Sequence, residues 1–299
     1  MRVLVSGGTG LIGRALVRRL GDGGHEVAVL TRGAGDLEAV PRRVHWDGRD
    51  LGDWVSFVDG ADAVIHLAGE SIAEGRWTAL KKQRILDSRV HSTEALIEAI
   101  VEAKARPKVL LQGSAVGWYG STGDAELDES SPPGDDFLAE VCRAWETASA
   151  RVEALGVRRP VLRTGVVLAR DGGALPKMVL PFRLFAGGPV GNGRQWVPWI
   201  HLADEVGAIV HLLETESATG PFNLTAPEPL TNRDFAKRIG EVLHRPSFMP
   251  APGFALKLAL GEMADLLLGG QRALPKRLLE SGYDFQFPDA ASALRDLLD

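Results

Sequence analysis

The chain has 299 residues, of which 45% are hydrophobic and 24% charged, so it is long enough for one large globular domain or a large and a small one. Its formal net charge of −5 and the lack of a basic block argue against a nucleic-acid partner, and no apolar run reaches the roughly 20 residues of a membrane span. A single cysteine, Cys142, excludes an intrachain disulfide and a cysteine-based zinc site, and with no signal-peptide pattern we expect a reducing, cytoplasmic location.

The predicted elements alternate between strand and helix. A β-branched run, RVLVSGG, predicts a strand that ends in glycine, and apolar residues at helical spacing from Leu11 to Leu20 predict the helix that follows it. A second buried strand is predicted in HEVAVLTR. One further buried strand is predicted in each of ADAVIHLAG, KVLLQGSAV and RRPVLRTGVVL, with helices between them in SRVHSTEALIEAIVEA and DFLAEVCRAWETASARVEALG.

This alternation predicts the fold class. Strands that alternate with helices of this length form βαβ units and a parallel sheet covered on both faces. We therefore predict an α/β fold, a doubly wound Rossmann-type parallel sheet with a smaller C-terminal substrate lobe. The alternation loosens near Arg170 into a segment rich in glycine and proline. A Rossmann domain is thus predicted at 1–170 and a substrate-side lobe at 171–299, interleaved with the sheet, whose core also takes strands from this later segment.

The stretch VSGGTGLIG carries the clearest ligand motif. Its glycines are spaced G-x-x-G-x-x-G, and the strand before it and the helix after it are the context in which such a loop holds a dinucleotide. A tight turn brings the backbone close to the pyrophosphate, and the helix N-terminus directs free N–H groups at the phosphates. The alternative is a glycine-rich turn without a ligand. The residues of the predicted cradle are Gly7, Thr9, Gly10, Leu11, Ile12 and Gly13.

The end of the second predicted strand bears on the choice of cofactor. A carboxylate there would bind the ribose 2′-hydroxyl of NAD, but the chain has Thr31 and Arg32. The planar guanidinium of Arg32 suits a 2′-phosphate, so NADP(H) is favoured over NAD(H). The alternative for Arg32 is a solvated charge at a strand end. Trp46 and Asp47 either line the adenine or form a turn aspartate beside a core tryptophan.

Several motifs resemble one family. In chain order they are GGTGLIG, HLAGE, GSAVGWYG, LRTGVVL and GNGRQWVPWIHLADEVGAIVHLLE. The sequence resembles the extended short-chain dehydrogenase/reductases, and more narrowly an epimerase-family branch sometimes labelled cell-division-inhibitor-like. The narrower resemblance is carried by HLAGESIAEGRW, DSRVHST, FLAEVCRAWE and LESGYDFQFPD. It extends over essentially the whole chain.

The resemblance implies a catalytic tyrosine with a lysine four residues later, which lowers the pKa of that tyrosine. The chain departs from this pattern, because Gly123 lies four residues after Tyr119 and Phe287 four residues after Tyr283. No Tyr-x-x-x-Lys exists in the sequence.

Alignment of the motif helix by Glu146 places Leu138 at the tyrosine position and Cys142 at the lysine position. We interpret both as helix packing, with a nucleophilic Cys142 as the alternative. Ser114 and Tyr119 are the remaining catalytic candidates, since they follow a strand where the family has its helper serine. Tyr119 would act as an acid or base only with a pKa lowered from about 10, and otherwise lines the cleft.

Further cofactor contacts are implied by the resemblance. The HLAG element passes beneath the riboses, the residues after RPVLR pack on the nicotinamide, and two arginines of the following helix either reach the phosphates, close the cleft or remain helix-surface charges. The residues concerned are Leu67, Ala68, Gly69, Arg84, Arg89, Thr164, Gly165 and Val166.

Substrate contacts are predicted at strand-end loops and in the segment that resembles the family's substrate loop. The candidates are Glu70, Lys177, Gln195, Trp199 and His201. Glu70 and Lys177 have the alternative of solvated or salt-bridged structural charges, and His201 that of a histidine satisfied by Asp204. No metal site is predicted.

Two functions follow. The first is an NADP(H)-dependent oxidoreductase or epimerase-like enzyme that acts on an unidentified small molecule. The second is a non-catalytic NADPH-binding sensor or regulatory protein, which the missing tyrosine and lysine favour. The expected partners are the small molecule and, for assembly, a second copy in a homodimer, with no nucleic acid and no membrane.

Overall fold

The computed structural model describes residues 1–33 and 42–299. The strands are β1 (Arg2–Ser6), β2 (Glu26–Thr31), β3 (Arg43–His45), β4 (Ala63–His66), β5 (Val109–Ala115), β6 (Glu126–Leu127), β7 (Pro160–Thr164), β8 (Val166–Ala169), β9 (Gly172–Gly173), β10 (Trp196–Val197), β11 (Trp199–His201), β12 (Gly220–Leu224), β13 (Leu230–Thr231) and β14 (Arg272–Ala273). The α-helices are α1 (Leu11–Asp22), α2 (Ala79–Glu102), α3 (Phe137–Ser149), α4 (Leu175–Arg183), α5 (Leu202–Glu214), α6 (Asn232–Leu243), α7 (Gly253–Leu260), α8 (Asp265–Leu268), α9 (Lys276–Glu280) and α10 (Ala290–Leu298).

The central sheet has seven strands in the order β12-β7-β5-β4-β1-β2-β3, and every pairing in it is parallel. The order reverses between β1 and β4, which is the arrangement of a doubly wound sheet. The predicted Rossmann-type fold is confirmed.

Helices cover both faces of this sheet, as the continuous apolar strands predict. Successive side chains of a strand point to opposite faces, so Leu4 and Val5 of β1 enter two different cores. Val5 packs in the core formed with α1 and α5, and Leu4 in the core formed with α2. Burial on both faces leaves the crevice at the carboxyl ends of the strands as the place where a ligand can enter.

One of the predicted strands is divided into two strands in the structure. The run RRPVLRTGVVL was expected to form a single strand, but the chain turns at Gly165, so β7 stays in the central sheet and β8 pairs with β11 and β9. A Cβ at Gly165 would overlap the carbonyl oxygen of Pro198. The close approach of these two backbone segments, which no local pattern encodes, explains the break.

Helix α2 begins earlier than its apolar spacing predicts. It starts at Ala79 because the Thr78 side chain accepts a hydrogen bond from the Lys81 amide and caps the first turn. The added turns carry Lys81 and Arg84 to the end of β4.

The C-terminal part builds a third core in which Trp199, Phe235 and Leu294 are buried. It is interleaved with the sheet, since α5 and β12 return to the central layers before α6 begins. The exact boundary between 170 and 171 stays a prediction. Among the helices of the described ranges, none has the length and apolar character needed to cross a membrane.

Asp204 joins the C-terminal segment to α5. Its buried carboxylate accepts hydrogen bonds from the Gln286 amide at 2.8 Å, the Phe287 amide at 2.9 Å and the Tyr283 hydroxyl at 3.0 Å. Burial of these polar groups is tolerated only because they satisfy one another.

We expect Asp204→Ala to lower the free energy of unfolding by about 3 kcal/mol or more, because two amides and a hydroxyl lose their acceptor. Urea unfolding measures the loss. Asp265→Ala, which removes an exposed carboxylate paired with Lys257 at 3.6 Å, is the control and should cost under about 1 kcal/mol. Equal losses in the two variants would contradict this role for Asp204.

Candidate functional site

The crevice opens where β1, β4 and β5 end, on either side of the reversal in strand order. Ligands of doubly wound sheets bind at this position because the loops that follow neighbouring strands diverge there. The predicted cofactor residues lie at the ends of β2 and β7, on the loops after β1, β2, β4 and β7, at the start of α1 and β8, and on α2.

Close backbone contacts form the glycine cradle. Gly7 has φ of +73°, and a Cβ there would lie 2.7 Å from the Leu67 carbonyl carbon. A Cβ at Gly13 would overlap the Gly7 carbonyl oxygen, so α1 packs directly on the loop. Gly10 precedes α1, and no side chain of the described residues caps this helix. Exposed Gly10 and the free amides of the first turn fit an anionic group such as a pyrophosphate.

The end of β2 holds the residues that were predicted to select the cofactor. The Thr31 hydroxyl accepts a hydrogen bond from the Gly33 amide at 3.3 Å, and Arg32 is exposed beside it. Trp46 is buried against Trp54, and the Asp47 carboxylate accepts two backbone hydrogen bonds within its own turn. The structure therefore favours the turn interpretation of Asp47 and a core role for Trp46.

Arg89 lies along the loop that follows β4. Its Nη1 donates to the carbonyl oxygens of Ile85 at 2.9 Å and Glu70 at 3.1 Å, and its Cζ lies 5.0 Å from the ring centroid of Trp145. A Cβ at Gly69 would lie 3.0 Å from that Cζ. Burial lowers the pKa of the guanidinium from its ordinary value, as expected for a cation taken out of water. Arg89 thus faces the crevice and is not a helix-surface charge.

Glu70 is held in an ion-pair cluster. Its Oε1 accepts from Lys81 Nζ at 2.7 Å and from Arg84 Nε at 3.2 Å. The hydrogen bond from Lys81 lowers the pKa of the carboxyl, which stays ionised at neutral pH. These contacts match the salt-bridged alternative for Glu70 and give Arg84 a structural partner.

His66 was missed in the sequence. It is fully buried, with Nδ1 at 2.5 Å from Ser6 Oγ and Nε2 at 3.0 Å from Thr93 Oγ1. Desolvation and the charge of Arg89 lower its pKa to about 3, so the ring is neutral. The contacts tie β1, β4 and α2 together beneath the crevice. The sequence did place Ser6 and His66 in two predicted strands, but only the register of the parallel strands brings the two side chains together.

The placement of Tyr119 and Ser114 speaks against the predicted chemical roles. Tyr119 has no exposed surface: its hydroxyl donates to Asn223 Oδ1 at 2.7 Å and accepts from Arg163 Nη1 at 3.1 Å. Desolvation raises its pKa to about 12, the wrong direction for a base. Burial also rules out a cleft-lining ring. Ser114 donates to Glu146 Oε1 at 2.7 Å and belongs to the same internal network.

Leu138 and Cys142 occupy the positions where the resemblance implied tyrosine and lysine. Leu138 packs against a cluster that includes Trp77 and Met263. Cys142 is buried, its Sγ lies 3.6 Å from the Ala115 carbonyl oxygen, and desolvation raises its pKa to about 11. Both observations support helix packing over nucleophilic chemistry.

Helix α5 carries a second group that the sequence did not reveal, Glu205, which meets the end of β7. Thr164 Oγ1 donates to Glu205 Oε1 at 2.8 Å. Glu205 is fully buried, and its Oε2 has no hydrogen-bond partner in the described part of the chain. Desolvation raises the pKa of this carboxyl to about 8, so it holds a proton at neutral pH.

The predicted substrate residues are dispersed. Trp199 is 1% exposed and donates to the Glu228 carbonyl oxygen at 3.0 Å, which leaves no face for a ligand. The amide of Gln195 donates to two backbone carbonyls, and Lys177 is exposed on α4. Within residues 1–33 and 42–299, no group of three His, Cys, Asp or Glu side chains is placed to hold a metal ion.

His201 is buried with different partners from those expected. Its Nδ1 accepts from the Ala203 amide at 3.0 Å, its Nε2 lies 3.2 Å from Asp296 Oδ2, and its ring stacks on Phe287. Asp204, the predicted partner, is committed to the C-terminal segment. Burial lowers the pKa of His201 despite Asp296. The residue caps α5 and anchors α10.

Comparison with known proteins gives consistent matches over the whole chain. The model of the NAD dependent epimerase/dehydratase family matches residues 3–225, and a model called domain of unknown function, DUF1731, matches residues 251–297. The chain is 42% identical over 303 residues to an epimerase family protein SDR39U1 homolog, chloroplastic, of Arabidopsis thaliana, covering 100% of this chain and 87% of that protein. Epimerase family protein YfhF of Bacillus subtilis is 41% identical over 300 residues, covering 100% and 98%.

Solved structures agree. The crystal structure of human epimerase family protein SDR39U1 with NADPH superposes with a TM-score of 0.91 at 40% identity, covering 99% of each chain. MoeE5 in complex with UDP-glucuronic acid and NAD has a TM-score of 0.79 at 19% identity, covering 98% of this chain and 96% of that one, a likeness of fold alone.

Tyr119→Phe should lower the free energy of unfolding by about 1–3 kcal/mol, because the amide oxygen of Asn223 loses its donor, and it should leave NADPH affinity unchanged. Denaturant unfolding and a binding titration on the same variant measure the two effects. Tyr283→Phe, which removes the hydroxyl of the other tyrosine, should likewise lower the free energy of unfolding and leave NADPH affinity unchanged. Unchanged stability with lost cofactor-dependent activity would restore Tyr119 as a chemical group.

Glu205→Gln should flatten part of the pH dependence of stability. Between pH 4.5 and about 8 the folded chain holds one more proton on Glu205 than the unfolded chain. The free energy of unfolding therefore falls with rising pH by about 1.4 kcal/mol per unit from this residue. Urea unfolding from pH 5 to 8 should show that the free energy of unfolding of the glutamine variant rises relative to that of the wild type as pH rises. The control is Glu214→Gln, at an exposed position of α5, whose free energy of unfolding should change with pH as that of the wild type does. If the difference in free energy of unfolding between Glu205→Gln and the wild type is the same at every pH, the raised pKa is refuted.

Proposed function

Because the chain belongs to the NAD dependent epimerase/dehydratase family, we propose that it binds NADP(H) in the crevice between the ends of β1 and β4 and uses it as an oxidoreductase or epimerase-like enzyme on a small molecule. The observation that carries the proposal is the glycine cradle, whose backbone contacts leave no room for a Cβ at Gly7 or Gly13. The NADPH named for the human relative's structure supports the choice of cofactor.

Each part of the crevice has a distinct task. Exposed Gly10 and the free amides of α1 bind the pyrophosphate, and Arg32 at the end of β2 binds the 2′-phosphate of the adenosine half. Leu67, Ala68 and Gly69 lie beneath the riboses. Thr164, Gly165 and Val166 flank the nicotinamide, with their loop fixed by Glu205.

The bound cofactor supplies or accepts a hydride, and this chain's residues bind, orient and exclude water. The apolar cluster that includes Trp77, Leu138 and Met263 keeps water from the side of the crevice next to α3. With Tyr119 buried and Leu138 apolar, neither position exchanges a proton with the substrate. The substrate contacts proposed are Lys177 and Gln195, which have some exposed surface.

The same observations favour a second candidate, a protein that senses NADPH without turnover. The position of the expected base is apolar and that of the expected cation is a buried thiol. NADPH oxidation in the presence of a panel of carbonyl compounds separates the two functions: turnover of any compound supports the enzyme, and tight binding without turnover supports the sensor. The homodimer and the cytoplasmic location stay predictions.

Arg32→Glu should weaken NADPH binding by about 10- to 100-fold and leave NADH binding unchanged, because only NADPH carries the 2′-phosphate that the guanidinium binds. Calorimetric titration of both cofactors measures this selectivity. Lys104→Glu makes the same change of charge at an exposed site before β5, at the amino ends of the strands and away from the crevice, and should alter neither affinity. A wild type that prefers NADH, or equal losses for both cofactors, would overturn the assignment of Arg32.

A further inference from the structure

Positive charge exceeds negative charge at the end of β4. Three cations, Lys81, Arg84 and Arg89, stand there around one carboxylate, that of Glu70. Lys81 and Arg84 both donate to Glu70 Oε1, so they share its single negative charge. Arg89 reaches only the backbone carbonyl of Glu70. Its charge has no carboxylate in hydrogen-bond contact among the described residues.

The guanidinium of Arg89 also has unused donors. The two hydrogen bonds that the guanidinium makes to protein both come from Nη1. Nε and Nη2 lie beside Gly69, each 3.2 Å from the position of a Cβ built on that residue. Neither atom has an acceptor in the described part of the chain. The ring of Trp145 packs against the guanidinium and fixes its position. The open donors therefore face the backbone that borders the crevice.

The polar groups around Arg89 do not neutralise it. His66 is uncharged because its pKa is lowered to about 3, and Cys142 is a neutral thiol because its pKa is raised to about 11. The carboxylate of Glu146 is bound by Arg163 through two hydrogen bonds of 2.9 and 3.1 Å. The excess charge therefore acts on whatever enters this side of the crevice, in a setting where burial strengthens electrostatic effects.

The position of Arg89 decides which part of a dinucleotide it meets. A doubly wound sheet holds one mononucleotide on each side of the reversal in strand order. Arg32, directly after β2, marks the side proposed for the adenosine with its 2′-phosphate. Arg89, on α2 beside the loop that follows β4, lies across the reversal from β2, on the side where the nicotinamide mononucleotide would be bound.

We infer that Arg89 makes the site prefer the reduced cofactor, NADPH, over NADP⁺; this inference rests on the proposed function. The oxidised nicotinamide ring carries a positive charge and the reduced ring carries none, so a fixed cation on this side penalises only the oxidised form. Selection of NADPH fits a protein that reduces its substrate or reports on the reduced cofactor.

The test compares dissociation constants for NADPH, NADP⁺ and 2′,5′-ADP, a fragment that lacks the nicotinamide half. For the wild type we expect NADP⁺ to bind about 3- to 30-fold more weakly than NADPH, the range expected for one charge at short distance in a partly solvated site. Arg89→Gln should bring this ratio towards one and leave 2′,5′-ADP binding unchanged. Arg89→Lys, which keeps the charge, should preserve the ratio. Arg106→Gln is the matched control, since Arg106 is an exposed arginine that donates to the Val101 carbonyl before β5.

A ratio that Arg89→Gln leaves unchanged would overturn the inference, as would a wild type that binds NADP⁺ as tightly as NADPH. Equal weakening of NADPH and 2′,5′-ADP would also overturn it, since Arg89 would then act on the adenosine side. If circular dichroism shows that Arg89→Gln does not fold, Arg89→Lys still tests the inference. Loss of the preference for NADPH over NADP⁺ in a variant that keeps the charge contradicts it. A wild type that binds neither NADPH nor 2′,5′-ADP would instead overturn the proposed function, and this inference with it.

Discussion

The buried guanidinium of Arg163 is the constraint around which much of the interior is arranged. A guanidinium has five N–H donors and no acceptor, so burying it requires oxygens on several sides. Glu146 on α3 supplies both carboxylate oxygens, the Tyr119 hydroxyl and the Glu129 carbonyl supply two more, and the ring of Trp118 lies 4.0 Å from Cζ. One side chain of β7 thereby fixes α3 and the turn after β5.

The network extends outward from these acceptors. Tyr119 donates to Asn223 on β12, and the carboxylate of Glu129 accepts from the backbone amides of Asn223 and Arg277. The edge strand of the sheet and helix α9 are in this way fixed by the same polar core. Groups that are committed to such contacts cannot exchange protons with a ligand without breaking them. The hydrogen bonds of this network explain why the residue types expected for chemistry, a serine at the end of β5 and a tyrosine in the turn after it, serve the fold instead.

The sequence predicted the layers of this protein better than the partners of its polar side chains. Alternating apolar runs and helical spacing are local patterns, and they predicted the parallel, doubly wound sheet. The errors arose where a contact spans a long stretch of chain. Tyr119 meets Asn223 across 104 residues, and His201 meets Asp296 across 95. Local patterns do not predict such pairs, and the burial that they impose changed the expected roles of Tyr119, Trp199 and His201.

The groups that remain for ligand chemistry in the crevice are found among the polar atoms that the fold leaves without partners. On one side of the crevice these are Nε and Nη2 of Arg89, beside Gly69, and on the other the Oε2 of Glu205, behind the loop of Thr164. Leaving a buried polar group unsatisfied costs stability, so the unpaired Oε2 of Glu205 persists in a folded chain where another requirement retains it. Arg89 is a cation, and Glu205 is a carboxyl that holds its proton. The crevice therefore presents positive charge and hydrogen-bond donors, and no free carboxylate within the described residues, to the cofactor half that lies between them.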